Sequence, residues 1–228
     1  MQQKDILEKS HATMIKHFLS ISRLSPKYLW LNIKLNYFSK NVIRHNNAHI
    51  FIYRDVIIDI DRTAIIELWG DLILGVKSIR GNRQVSKLYM AQNSCITIEE
   101  HCSFLDGFDV QVHKNGRLKI TQFHSNIGLE ISCGNAISIG KDVIAGRHVR
   151  IKDYNGHWVS YEGYPLSAPI SISEHVWLCT GSTINPGVSI GYGSVISDNT
   201  NVIEDVAPRT FIQGNPSVVK EENIVFKM

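Results

Sequence analysis

Long apolar runs are missing from this chain of 228 residues. Nothing in it approaches the roughly 20 consecutive apolar residues that cross a bilayer as a helix, so a helical membrane protein is not expected. The opening stretch, MQQKDILEKSHATMIKHF, is too polar for a secretory leader. Cysteine is scarce, and Cys95, Cys102, Cys133 and Cys179 show no CxxC spacing. That argues against a zinc ribbon or a disulfide framework and for reduced thiols in a cytoplasmic protein. Strong charge is lacking too, and a formal +3 asks for no nucleic acid. Only residues 1–45 are lopsided, with eight Lys/Arg against Asp5 and Glu8. A basic stretch of that kind is either a solvated face or a peripheral contact to anionic lipid, such as the inner face of a membrane, or to polysaccharide.

What the chain does have is a period of six. From residue 127 it reads IGLEIS, CGNAIS, IGKDVI, AGRHVR, IKDYNG; from residue 172 the register resumes as ISEHVW, LCTGST, INPGVS, IGYGSV, ISDNTN, VIEDVA. The first position is apolar in all eleven units, and the fifth is Ile, Val, Ser, Thr or, once, Asn. Neither an amphipathic helix nor a long flat strand repeats in sixes. Short strands joined by tight corners do, with one large and one small side chain turned inward on each side. Three sides close a triangular coil, and coils stack about 4.8 Å apart. Each coil then satisfies the backbone hydrogen bonds of the next. Glycine at the second position, in residues 128, 134, 140, 146 and 191, predicts corner angles that a Cβ would forbid. A β-sandwich of short strands is the alternative, and eleven registered units count against it.

Upstream, VIIDIDRTAIIELWGDLILG reads as short strands, and Ile96, Cys102, Phe108 and Ile120 are compatible with further coils. VKSIRGNRQVSKLYMAQNS between them reads as a longer connection. Ile6, Leu7, Met14, Ile15, Phe18 and Leu19 form a helical stripe, which Pro26 separates from KYLWLNIKLNYFSKNVI. The expected organisation is a helical or extended basic segment over 1–45, a coil domain over 46–210 and a tail over 211–228.

The repeat breaks once. Ile151 and Ile172 are 21 residues apart, one six-residue side plus fifteen extra. The extra chain cannot enter the coil without shifting everything after it, so a loop of about 152–171 is extruded. His157 stands where the chain leaves, at the junction of rigid wall and loop where binding residues often sit. A lone histidine is otherwise as easily a surface decoration. Trp177 could simply cap a corner, and His148 and His175 face outward.

CGNAISIGKDVIAG, HVWLCTGSTINPGVSIG and GNPSVVKEEN resemble the hexapeptide-repeat acyltransferases over about 127–220. The resemblance implies an all-β chain whose coil is a left-handed parallel β-helix, with one extruded loop and a short, partly helical N-terminal segment. It implies transfer of acetyl from acetyl-CoA directly to a hydroxyl, with no metal, in a homotrimer whose active sites lie between subunits. It also implies His157 as general base in the segment I-x-D-x-x-G-H, Asp153 as its orienting partner, and Trp177 beside the acyl group or sugar. In the family, backbone groups of the later coils hold the pantetheine arm, with Ser182 and Thr200 the candidates here, and a basic residue near the end meets the CoA phosphates, with Lys220 the candidate. Relatives carry basic residues where this chain has Glu204 and Val218, so Lys220 or Arg209 takes that role. The DxxGH…VW form and the basic N-terminal segment resemble enzymes that acetylate capsule, O-antigen and other bacterial surface glycans. Acetylation of small sugars or xenobiotics, or a non-enzymatic binding module, are the other readings. Zinc carbonic anhydrases share the coil, but two of their three histidines are usually five residues apart, a spacing absent here.

Overall fold

The computed structural model describes residues 11–22, 25–157 and 166–226. Ile6, Leu7 and the part of the excursion over 158–165 lie outside the described residues. Nearly all strand pairs are parallel, and the strands fall on three sides of a coil. The first side is a seven-stranded sheet, and its strands run from Val56–Ile60 and Ser86–Met90 to Thr183–Ile184 and Asn201–Val202. The second side carries Ile65–Leu68, Ala136–Ile139, Ile170–Ile172 and Ser189–Ile190; the third carries Asp71–Val76, Val143–Ala145, Trp177–Leu178 and Val195–Ile196. Two long strands, Cys95–Leu105 and Arg117–Ser125, bend around the corner between the second and third sides and pair along both. The architecture is the left-handed parallel β-helix.

The period of six explains the register after the break: Ile172 pairs with Ile190 and Ile184 with Val202, so first-position residues stack in columns. Before the break the turns are longer, and fifth-position Ile131 pairs with first-position Ile151. From Cys133 to Val202 every first-position residue is buried, and only Ile127 is half-exposed. These columns merge into one continuous core.

Two expectations are corrected. The glycine positions were read as needing unusual backbone angles. Of the second-position glycines only Gly128 has a positive φ (+76°). At the others the constraint is space: a Cβ on Gly146 would stand 2.7 Å from the Thr180 nitrogen in the next coil. The left-handed corner lies at the fourth position, where Asp142, His148, His175 and Asn199 all have φ between 52° and 57°. The connection read from VKSIRGNRQVSKLYMAQNS is shorter than expected, because Ser86–Met90 pairs with both neighbours on the first side and only 77–85 is excursion.

The N-terminal segment closes the open end of the coil. Helix α1 (His11–Ser22) and helix α2 (Pro26–Ile33) lead into a π-helical turn, Lys34–Phe38. Pro26 sits in the first turn of α2, where its missing N–H costs nothing. Buried Asn32 donates to the Ile52 carbonyl and accepts from the Ile52 nitrogen, both at 2.8 Å. Buried Asn36 does the same for Ile50 at 2.7 and 2.9 Å. Two side-chain amides thus take the place of the strand that would otherwise precede Ile50–Ile52. Strand pairing extends from Val42 to Glu221, and Phe211–Gln213 still belongs to the third side.

Candidate active site

The chain leaves the first side after Lys152, and Asp153 is fully buried at the point of departure. The Gly134 and Asn135 amides of the coil below donate to its carboxylate at 2.5 and 3.0 Å, and the Cys133 thiol lies 3.7 Å away. A departing chain would leave these corner amides without a partner, and the carboxylate supplies one. Burial pushes the Asp153 carboxyl above its ordinary range in spite of the amide bonds, and pushes the Cys133 thiol up as well. Asp153 was expected to orient His157. Its oxygens are instead turned into the coil, where they hold the root of the loop.

The neck of the excursion is a clasp. Tyr154 and Ser167 form an antiparallel bridge, Asn155 N donates to Leu166 O at 2.9 Å, and Ala168 N donates to Asp153 O at 3.0 Å. The Tyr154 side chain lies against Gly134, where a Cβ would meet its ring at 2.8 Å. It also packs 5.3 Å from the His113 ring, whose Nε2 is 3.0 Å from Ser132 Oγ. The Tyr154 hydroxyl donates to the Gly156 carbonyl at 3.1 Å, bracing a turn that Gly156 makes at φ +78°. That turn presents His157, which is exposed and makes no hydrogen bond or ring contact with another described residue. Its imidazole is therefore open to a ligand while its backbone is held by the clasp. Tyr154, His113 and Ser132 were not singled out from the sequence. Their only signal was their register beside the break.

Trp177 is 41% exposed on the third side, between Ile144 and Val195 of adjacent coils. His157 stands at the corner between the first and second sides. Within one chain the second-side strand Ile170–Ile172 intervenes between the excursion that bears His157 and the third-side strand that bears Trp177. Near Trp177 the C-terminal segment folds back. Phe226 stacks on His175 at 4.3 Å and lies 6.1 Å from Trp177, and its carbonyl is 3.0 Å from His175 Nε2. His175, expected to be solvent-exposed, is thus half-covered.

Ser182 and Thr200 lie in the later coils whose backbone groups were expected to hold the pantetheine arm, and the structure turns both side chains inward. Each is fully buried. Ser182 Oγ donates to Cys179 O at 2.9 Å, and Thr200 Oγ1 accepts from Gly214 N at 3.1 Å. Their carbonyls accept from Arg150 N and Thr183 N of neighbouring coils. Neither side chain reaches a surface ligand. Lys220 is exposed on the final strand, Val218–Glu221, and exposed Arg209 lies on the adjoining corner. Among the described residues no group of three His, Cys, Asp or Glu side chains is placed to hold a metal ion.

No family model matches the chain. It is 31% identical over 131 residues to the galactoside O-acetyltransferase of Escherichia coli (strain K12), covering 55% of this chain and 61% of that one. It is 32% identical over 106 residues to the galactoside O-acetyltransferase of Lactococcus lactis subsp. lactis, covering 45% and 51%. The chain thus spans between half and two thirds of the length of these curated relatives. Among solved structures, the polySia-specific acetyltransferase NeuO superposes with a TM-score of 0.57 over 82% of this chain and 88% of that one, at 19% identity, which establishes a shared fold.

Proposed function

We propose that this chain, whose coil is that of the hexapeptide-repeat acyltransferases, is an acetyl-CoA-dependent O-acetyltransferase acting on a sugar hydroxyl of a bacterial surface polysaccharide in the cytoplasm. The observation that carries this reading is His157: an open imidazole on a clasped turn, at the one break in the repeat. As general base it takes the proton of the attacking hydroxyl. The hydroxyl oxygen bonds to the thioester carbonyl carbon, the carbon–sulfur bond breaks, and the proton leaves with the CoA sulfur. Backbone N–H groups at the coil corners are the candidate donors for the transient oxyanion. Lys220 and Arg209, exposed near the end of the coil, are the candidates for the CoA phosphates, and backbone groups of the coils around Ser182 and Thr200 for the pantetheine arm.

The separation of His157 and Trp177 supports an oligomeric site. A second copy packed against the first can bring its Trp177 to the first copy's His157, which suits a homotrimer with three shared clefts. The polysaccharide acceptor draws on the fold shared with NeuO, whose name specifies polySia. Similarity to galactoside O-acetyltransferases favours a second reading, a mono- or disaccharide acceptor. Incubation with acetyl-CoA and candidate glycans, followed by mass spectrometry, separates the two by whether the acetyl mass appears on polymers or on small sugars. His157→Ala is expected to lower turnover by at least about a hundredfold while leaving circular dichroism and assembly unchanged. Wild-type activity in that variant overturns the assignment.

A further inference from the structure

Residues 9–54 contain no aspartate or glutamate and eight Lys/Arg. The orientation of α2 is set by Asn32 and Asn36, whose four bonds to Ile50 and Ile52 lock one helix face onto the coil. Tyr28, Leu31 and Leu35 pack on the same side. The opposite face therefore carries Lys27, Trp30, Lys34 and Phe38 into solvent by helical spacing. Trp30 is 58% exposed and Phe38 69%, and their rings stack on one another at 6.1 Å. Among the described residues the exposed Lys16, Lys27, Lys34 and Lys40 form no ion pair with an acid. Acids of the coil near this segment are occupied: Glu67 meets His45 at 3.2 Å, Asp71 accepts from His49 N at 2.9 Å, Asp55 pairs with Lys77 at 3.1 Å and Asp61 accepts from Thr63 N at 2.8 Å.

We propose that this outward face, Trp30 and Phe38 framed by Lys27, Lys34 and Lys40, docks the protein onto an anionic lipid bilayer. Aromatic side chains settle at the depth of the headgroups, and lysines beside them keep their ammonium groups among lipid phosphates while their stems cover apolar surface. Charge complementarity selects this occupant. A second copy would bring one acid-free cationic face against another, which is repulsive. A soluble acidic glycan would satisfy the lysines but leave Phe38 without an apolar environment. The face lies on the end cap of the coil, away from the clasped neck that carries His157. Docking therefore leaves the break in the coil open, and it does not depend on the acetyltransferase reading.

Co-sedimentation of the full chain with vesicles tests this. Wild type is expected to bind vesicles of equal parts phosphatidylglycerol and phosphatidylcholine at low salt, and not vesicles of phosphatidylcholine alone. Each lysine at the surface contributes a factor of about five, so Lys27→Glu with Lys34→Glu lowers binding by more than about twenty-fold. Trp30→Ala with Phe38→Ala is expected to abolish sedimentation while mass by light scattering and circular dichroism stay as in wild type. The proposal is overturned if wild type ignores anionic vesicles, or if binding survives the aromatic double variant. It is equally overturned if that variant changes the oligomeric mass, which would make the face a contact between copies. Binding of a soluble acidic polysaccharide in place of vesicles would also defeat it.

Discussion

Asp153 and His157 are four positions apart in the sequence and have different surroundings. Asp153 is sealed in the coil, and burial raises its carboxyl above the ordinary value of 3.8. A raised carboxyl binds its proton more tightly in the folded chain than in the unfolded one. Its contribution to stability is therefore fully present below pH 3.8 and is lost as pH climbs through the raised folded value. The free energy of unfolding of wild type, measured against Asp153→Asn across pH 3 to 7, is expected to shift in favour of wild type as pH falls. A flat difference would mean that the amide bonds offset burial completely. Cys179 behaves in the same sense: burial holds its thiol up at about 12, so it remains uncharged and unreactive at neutral pH.

The N-terminal cap and the loop neck meet the same difficulty, a parallel coil whose backbone groups lose their neighbour. At the open end, α2 answers with Asn32 and Asn36; at the excursion, Asp153 answers for Gly134 and Asn135. Asn36→Leu removes both a donor and an acceptor from Ile50 and is expected to cost about 2–4 kcal/mol in urea unfolding. Proteolysis should show the change first in the residues of the cap. A cost below about 0.5 kcal/mol would mean water replaces the side chain freely. The asparagine pair was legible as two residues one helical turn apart. Its purpose was not, because the partners, Ile50 and Ile52, lie beyond a helix end whose packing no local pattern states. The inward turn of Ser182 and Thr200, by contrast, was available from the repeat. Both occupy its fifth position, which points into the coil, so register alone excluded their side chains as ligand contacts.

Taken whole, the molecule is a stiff rod of stacked coils with a helical cap at one end and a C-terminal strap over His175 at the other. Under the trimer reading, His157 of one copy works with Trp177 of the next. Inactive His157→Ala and impaired Trp177→Ala chains, unfolded together and refolded as mixed trimers, should recover about a quarter of the wild-type rate, because one interface in four then pairs two intact residues. Recovery no greater than the sum of the separate variants would place both residues in one chain's site or remove Trp177 from it.

The six-residue period alone was enough to establish a three-sided coil, its core columns from Ile172 on and the position of the break, because there each coil packs only on its neighbours and the register propagates unchanged. The longer turns before the break, such as that from Ile131 to Ile151, follow no such period. Folding in three dimensions decided the rest. It turned Asp153 away from His157, brought Tyr154 and His113 beside the break, and set a second-side strand between the excursion that bears His157 and the strand that bears Trp177. It also determined which face of α2 meets water. Those outcomes depend on which backbone groups lose a partner where the coil starts or is interrupted, and such vacancies arise only once distant strands have stacked.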